Sequence, residues 1–325
     1  MKVGIIGTGF IAGKMAETIQ GIEGIENYAI ASRSSEKANS FKEKWGMTKA
    51  FATYEEMLSD DTVDLVYVAT PHSNHYEATM TALKAGKNVL CEKAFSVNAG
   101  QAEKMVAVSK DRGLLLAEAI WTRYMPSRQI IDELISSGEI GEIKSIDSNL
   151  GYPIFMNQRL TDPALAGGCL LDLTVYSLNF SSMFLGDSIK KMNASMVSTN
   201  TGVDGMDSVM IEYENGKMAT MFTTMYSHTD RRGLITGEKG YIIVENINNP
   251  ERIFLFNTES GEARLQKEIT VPEQITGYEY ELLACKKALD AGKTECSEMP
   301  HSETIEIMRQ MDEIRKQWGL VYPCE

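Results

Sequence analysis

The sequence predicts an α/β protein of two parts: an N-terminal doubly wound parallel sheet, then an α+β domain whose sheet is open and largely antiparallel. Three observations predict it. A short apolar run at the start of the chain ends in a glycine loop and passes into a helix-periodic segment, the opening of a βαβ unit. Asp64–Ala69 is apolar at nearly every position, as a strand buried on both faces of a parallel sheet is. After Ala119 the texture changes to short strands separated by turn residues, including the hairpin signal Asn215-Gly216.

Lys2–Ile6 is the first strand, and Ile11, Met15 and Ile19 then recur on one face of a helix. Tyr28–Ala31 is a second strand, and Glu36–Lys44 is a helix closed near Gly46. The strand Asp64–Ala69 leads to a helix at His75–Ala85 that Gly86 stops. Strands at Asn88–Cys91 and Leu114–Ala117 enclose a helix at Ala99–Asp111. This alternation assigns residues 1–119 to a Rossmann dinucleotide-binding domain and residues 120–325 to a substrate-binding and dimerisation domain.

In the second domain Met125–Ser136 is a helix, and most of Ile143–Val271 is strand. A helix near Leu171–Leu185 is expected to cover one face of the sheet. Helices at Glu279–Ala291 and Ser302–Trp318 come last. Along Met218–Tyr226 one face carries Met218, Thr220, Phe222, Thr224 and Tyr226, and the other Ala219, Met221, Thr223 and Met225. Neither face is charged. Helices cover one, so the other is expected to meet a second copy of the chain, giving a homodimer through the sheet.

Composition narrows the function. At 325 residues the chain has room for two cores. A net charge of −13 is a poor match to a nucleic-acid backbone or an anionic membrane surface, so neither is an expected partner. The five cysteines are odd in number and none has C-x-x-C spacing. That points to a reducing compartment, not to a zinc ribbon or a disulfide framework. The N-terminus lacks a basic stretch followed by an apolar leader, and no apolar run is long enough to span a bilayer. A cytoplasmic protein acting on a small molecule is expected.

Gly7-Thr8-Gly9-Phe10-Ile11-Ala12 is a G-x-G-x-x-A loop between strand and helix. Gly7 permits the tight turn, Gly9 lets the backbone approach a pyrophosphate, and Ala12 lets the helix pack on the sheet. The helix N-terminus supplies free N–H groups and positive partial charge. The end of the second strand then selects the nucleotide. An NAD site places an acid there for the ribose 2′-hydroxyl, whereas this chain reads Ala31-Ser32-Arg33-Ser34-Ser35. Ser32 can donate a hydrogen bond, Arg33 offers a charged planar fork, and Lys37 adds a second charge one turn later. NADP is therefore preferred, with NAD the other possibility.

Three further segments carry chemistry. Thr70-Pro71-His72, with Asn74 and His75, ends a buried strand. Glu92-Lys93-Ala94 ends the next one. Gly167-Gly168-Cys169-Leu170-Leu171-Asp172-Leu173-Thr174-Val175-Tyr176 opens a helix in the second domain. Together with the glycine loop, these segments resemble the glucose–fructose oxidoreductase/inositol dehydrogenase family, Gfo/Idh/MocA, over nearly the whole chain. That family carries a Glu-Lys-Pro motif and a Gly-Gly-Gly-x-Leu-x-Asp-x-Gly-x-His/Tyr motif. Ala117-Glu118-Ala119-Ile120-Trp121-Thr122-Arg123-Tyr124-Met125-Pro126, with the tyrosine at 176, resembles the branch of dihydrodiol dehydrogenases and NADP-dependent D-xylose dehydrogenases. The chain departs from the motifs where Ala94 stands for the proline and where Thr174 stands at a position that is glycine in relatives.

The resemblance implies an NADP-dependent dehydrogenase acting on an alcohol carbon of a sugar, polyol or trans-dihydrodiol. Removing the hydroxyl proton requires a base. A phenol is a poor base unless a cation favours the phenolate, so the candidate base is Tyr176 beside Lys93 or Lys93 itself, and Asp172 is a carboxylate that orients the substrate or Lys93. Taken singly, Lys93 also reads as an ion pair with Glu92, and Tyr176 as a core tyrosine. Thr70, Pro71, His72, Asn74, His75 and Glu92 are expected at the nicotinamide end. By resemblance Arg123 contacts the cofactor and Trp121 lines the substrate pocket, with Phe155 and Arg159 as further wall residues. His72 and His75 have H-x-x-H spacing with no third ligand, so no metal is expected. Two other functions stay open: a glycosidase of the same fold that uses NAD transiently, and a non-catalytic NADP-sensing partner protein.

Overall fold

A computed structural model describes residues 1–325. Two compact units form, Met1–Tyr124 with Gln274–Met308, and Met125–Glu273 with Arg309–Glu325.

The first unit opens with β1 (Lys2–Ile6), α1 (Phe10–Gln20), β2 (Glu26–Ala31), α2 (Ser35–Trp45), β3 (Lys49–Phe51) and α3 (Tyr54–Leu58). It continues with β4 (Leu65–Val68), α4 (His75–Lys84), β5 (Asn88–Glu92), α5 (Ala99–Arg112) and β6 (Leu116–Ala119). The six strands lie in the order β3-β2-β1-β4-β5-β6 and every pairing is parallel. The order reverses between β1 and β4, and the crevice at the carboxyl ends of such strands is where open α/β sheets bind ligands. β4 is wholly buried, as its unbroken apolar run requires.

Two details differ from the sequence expectation. β3 and α3 are additional, three and five residues long, too short to show a period. The sixth strand begins at Leu116 and not at Leu114. Gly113 caps α5 in the left-handed region and the Leu114 amide bonds back to the Ser109 carbonyl, so Leu114 finishes the helix.

The second unit comprises α6 (Pro126–Ser136), β7 (Ile143–Gly151), α7 (Gln158–Thr161), α8 (Val175–Leu185), β8 (Ile189–Ser198), β9 (Asp204–Tyr213) and β10 (Met218–Thr224). β11 (Gly233–Gly237), β12 (Gly240–Val244), β13 (Arg252–Asn257) and β14 (Arg264–Thr270) complete its sheet. The strand order is β14-β13-β12-β11-β7-β10-β9-β8. Only β7 and β10 run parallel; the other neighbours are antiparallel. The β9–β10 hairpin turns at Glu214-Asn215-Gly216, where the Tyr213 amide donates to the Lys217 carbonyl at 3.0 Å. Ala219, Met221 and Thr223 are buried on the inner face, whereas Met218 and Phe222 remain 41% and 42% exposed on the outer one.

α9 (Glu279–Asp290) and the first part of α10 (His301–Trp318) belong to the first unit, an excursion that a division at residue 119 does not contain. This return segment covers the edge strand β6. The Leu116 amide donates to the Thr294 carbonyl at 3.0 Å, and Nε2 of His301 lies 2.7 Å from the Leu116 carbonyl oxygen.

The helix expected from Leu171 also begins differently. Leu170–Thr174 is a π-turn, and regular α-helix starts at Val175. Such one-turn widenings are frequent at functional sites.

Candidate active site

The glycine loop has the geometry its residues require. Gly7 sits at φ +108°, and a Cβ there would come within 2.5 Å of the Ala69 carbonyl oxygen, so only glycine fits the turn. Gly9 is the N-cap of α1, with no side chain capping the helix, and a Cβ on it would meet nothing within 4 Å. The amides at this helix start are left for an anion approaching through that open space.

Beside the loop lies a cavity of about 1010 Å³, lined by Thr8, Gly9, Phe10, Lys14, Lys37 and Lys44 among others. Phe10 projects into solvent at 81% exposure, and Ile11 is half-buried. Ser32 follows β2, its hydroxyl accepting from the Ser34 amide at 3.3 Å, and Ser34 caps α2 by accepting from the Lys37 amide. Arg33 is exposed and close enough to Tyr54 that its charge opposes the upward push burial gives that phenol. Glu17 and Glu36 also line the cavity, Glu17 paired with Lys14 at 2.8 Å. An open helix N-terminus, several cations and no acid at the end of β2 fit a dinucleotide carrying a 2′-phosphate.

The loops after β4 and β5 are tied to each other. Thr70 and Pro71 lead into a short 3₁₀ turn, His72–Asn74, and His75 starts α4. Nδ1 of the buried His75 lies 2.7 Å from the Ala94 carbonyl oxygen, and Nε2 lies 2.8 Å from that of Thr70. A carbonyl oxygen only accepts, so satisfying both contacts needs a proton on each ring nitrogen. The His72 ring meets His75 edge-on at 5.6 Å. Glu92 is 6% exposed; Oε2 accepts the Lys93 amide at 3.2 Å and Oε1 accepts the Tyr67 hydroxyl. Burial, with Glu92 beside it, pushes the Tyr67 phenol well up, so it stays a neutral donor. Lys93 is half-buried and its peptide bond to Ala94 is cis. Trp121 stacks on Tyr278 with ring centroids 4.2 Å apart, and the buried Arg123 pairs with Glu303.

In the second unit Gly168 adopts φ +121°, and a Cβ there would overlap Oδ1 of Asp204 at 2.1 Å. The π-turn follows at once. From Cys169 to Ser181 every residue is at most 4% exposed except Asp172 and Tyr176, at 7% and 8%. Both are buried, and they keep slightly more accessible surface than their neighbours. Arg159 lies 3.0 Å from the Asp172 carboxylate. Phe155 packs on Tyr226 at 4.9 Å. Sequence reasoning named Arg159 and Asp172 separately and missed their pairing. It also missed Asp204, Asp207 and the contact of Thr174 with Asp207; the only signal was two acids in a segment otherwise reading as buried strand.

Comparison with known proteins agrees with this geometry. Residues 1–119 match the GFO/IDH/MocA model described as an oxidoreductase family with an NAD-binding Rossmann fold, and residues 129–243 match a GFO/IDH/MocA C-terminal domain. The trans-1,2-dihydrobenzene-1,2-diol dehydrogenase of Mus musculus is 30% identical over 334 residues, 99% of this chain and 98% of that one. The D-xylose 1-dehydrogenase (NADP(+)) of Hypocrea jecorina is 34% identical over 366 residues, 99% and 93% of the two chains. Among solved structures, a 3-ketoreductase from Actinomadura kijaniata in complex with NADP and TDP-benzene superposes with a TM-score of 0.88 at 25% identity, covering 97% of each chain. A levoglucosan dehydrogenase in complex with NADH and L-sorbose, 19% identical with a TM-score of 0.87 over 98% of this chain and 97% of that one, shares the fold.

Proposed function

The chain belongs to the Gfo/Idh/MocA oxidoreductase family, and on that premise we propose that it is an NADP-dependent dehydrogenase acting on an alcohol carbon of a sugar, polyol or trans-dihydrodiol. The observation that carries the assignment is the glycine loop, whose Gly7 turn and uncapped α1 N-terminus are shaped for a dinucleotide, in a chain that also carries Asp172 and Tyr176 four residues apart on one buried segment. The nicotinamide, when bound, accepts or returns the hydride. Tyr176 takes the proton of the substrate hydroxyl, and the ammonium of Lys93 favours the phenolate form that does so. Asp172, oriented by Arg159, accepts a hydrogen bond from a neighbouring substrate hydroxyl. Glu92 fixes the backbone of Lys93 through its amide. Ser32, Arg33 and Lys37 hold the 2′-phosphate, and the absence of an acid at that strand end supports NADP over NAD.

The outer face of β10, which carries no charged side chain of its own although Glu212 and Asp147 lie opposite Met218 and Thr220, supports a homodimer through that face. The net charge of −13 supports a small-molecule partner over nucleic acid, and no helix is long and apolar enough to cross a membrane. The five cysteines are free, which supports a cytoplasmic setting.

The test is a 340 nm screen of pentoses, hexoses, inositols and trans-diols with NADP⁺ and NAD⁺, followed by Tyr176→Phe and Lys93→Met on the best substrate. Both variants are expected to lose kcat by about 10³-fold or more while NADPH still binds, by analogy with removal of a general base. Full turnover in Tyr176→Phe or Lys93→Met overturns the role of the residue replaced. Release of a sugar with no net change at 340 nm indicates the glycosidase alternative.

A further inference from the structure

Asp172 sits at the centre of a π-turn and Tyr176 two residues beyond its end, and the two ends of that turn are both tied to one strand. At its start the Leu170 amide donates to Oδ2 of Asp204. At its end the Thr174 hydroxyl donates to Oδ2 of Asp207 at 2.7 Å and lies 2.6 Å from the Thr223 hydroxyl oxygen. Asp204 and Asp207 both belong to β9 and are 0% and 2% exposed. Each keeps a buried Oδ1 with no other hydrogen-bond partner, and the two carboxyls act on each other. Burial pushes both up, and the charge of Asp204 raises Asp207 further. Two buried neighbouring carboxyls do not both ionise, so the pair retains a proton.

Tyr322 lies near the anchor, close enough for the charges of Asp204 and Asp207 to act on its phenol. Tyr322 is 1% exposed, and its ring lies under the Arg315 guanidinium at 4.8 Å. Arg315 is itself held by Asp312 at 2.8 Å and by Glu325. The buried thiol of Cys169 lies 3.5 Å from the Thr223 hydroxyl.

Thr174 is the position at which this chain lacks the motif's glycine. A glycine there would leave Oδ2 of Asp207 without this donor. We propose that Thr174 is a positioning residue: its hydroxyl, seated on the Asp204–Asp207 pair, fixes the rotation of the π-turn and thereby the directions in which Asp172 and Tyr176 project. This rests on the assignment of those two side chains to the reacting site. A rotational error at that turn displaces the phenol from the substrate without touching the cofactor loop, and small displacements of a reacting group cost large factors in rate.

The experiment compares Thr174→Val, Thr174→Ala and Thr174→Ser, with Tyr176→Phe alongside. D-xylose and trans-cyclohexane-1,2-diol with NADP⁺ serve as assay pairs, and NADPH binding is followed by fluorescence. Val and Ala are expected to lower kcat about tenfold or more while KM for NADP⁺ and the NADPH Kd stay within about twofold; Ser, which restores the donor, is expected to recover kcat to within about threefold of the parent. Should Thr174→Val fail to fold, Thr174→Ala carries the comparison, since it removes the hydroxyl without setting a branched apolar group against the carboxyls. Wild-type kcat in Thr174→Ala, or a Thr174→Ser enzyme as slow as Thr174→Ala, overturns the positioning role when Tyr176→Phe is inactive. A fully active Tyr176→Phe removes the underlying assignment of the reacting groups, and this role with it.

Discussion

His75 and Ala94 are joined by a 2.7 Å contact between the imidazole Nδ1 and the carbonyl oxygen, and this contact fastens the residue after Lys93 to the first turn of α4. The opposite ring nitrogen does the same for Thr70 at 2.8 Å. One buried side chain thus holds both loops expected to border the nicotinamide. His75→Phe fills the space but removes the ring N–H that a buried carbonyl accepts, at a cost of about 1–3 kcal/mol for each hydrogen bond lost. Its thermal midpoint should fall by several degrees, and kcat should fall with it because Lys93 loses a fixed neighbour. Differential scanning fluorimetry and steady-state kinetics check this, and an unchanged midpoint would show that the two contacts contribute nothing.

The cation at position 33 is expected to set the cofactor preference. Arg33 is exposed at the end of β2, where an acid would select NAD. Charge-assisted hydrogen bonds contribute about 1.5–3 kcal/mol, so Arg33→Ala should lower kcat/KM for NADP⁺ by about tenfold or more. The value for NAD⁺ should change by less than about threefold, because NAD lacks the phosphate that Arg33 is there to meet. Equal losses with both cofactors would mean that Arg33 acts on the adenosine and not on the 2′-phosphate.

How much of the fold and the site is readable in the sequence depends on the range of the contacts. The glycine loop, the buried strand Leu65–Val68 and the Asn215-Gly216 hairpin announce themselves because local chemistry dictates their geometry. Met218 and Phe222 are legible as one face of a strand because the period of two is local as well. What stays hidden needs residues far apart in the chain. The return of α9 to the first unit depends on pairings such as Leu116 with Thr294. The π-turn is held by Asp204 and Asp207, more than thirty residues downstream, and an i, i+4 pattern does not distinguish such a turn from an α-helix. The His75 clamp is hidden too: the spacing offers a metal ligand pair to weigh, whereas the ring is taken up by backbone carbonyls.

Glu118 gives the fold a pH dependence of known sign. It is buried on β6, and burial pushes its carboxyl up to about 7, against the opposing influence of Thr304 and Arg123. The native state therefore holds a proton that the unfolded chain releases near pH 4.5. The stabilisation from that proton is fully present below about pH 4.5 and is lost as pH rises through about 7. At 1.36 kcal/mol per pKa unit the loss is roughly 3 kcal/mol. Glu118→Gln stays neutral throughout, so relative to the parent it should gain about that amount between pH 4.5 and pH 8, as read by urea unfolding. A difference between the two proteins that does not vary with pH would place the carboxyl in an ordinary hydrated setting.

The outer face of the second sheet should be the dimer contact. Val197, Met210, Met218 and Phe222 are 51%, 41%, 41% and 42% exposed, and the cross-strand register puts Phe222 opposite Ser208 on β9 and Asn149 on β7, with no charged neighbour directly across. A stable interface buries about 800 Å² on each partner, and charges are depleted at its centre. Phe222→Glu sets two like charges close to each other across a symmetric contact, or leaves a carboxylate desolvated, at a cost of several kcal/mol. The side chain points away from the buried inner face, so the monomer fold should survive, and its thermal midpoint and NADPH binding should stay near those of the parent. Sedimentation velocity across a concentration series should then show a dimer for the parent chain and a monomer for Phe222→Glu. A parent that sediments as a monomer at tens of micromolar, or a variant that remains dimeric, would move the interface elsewhere or abolish it.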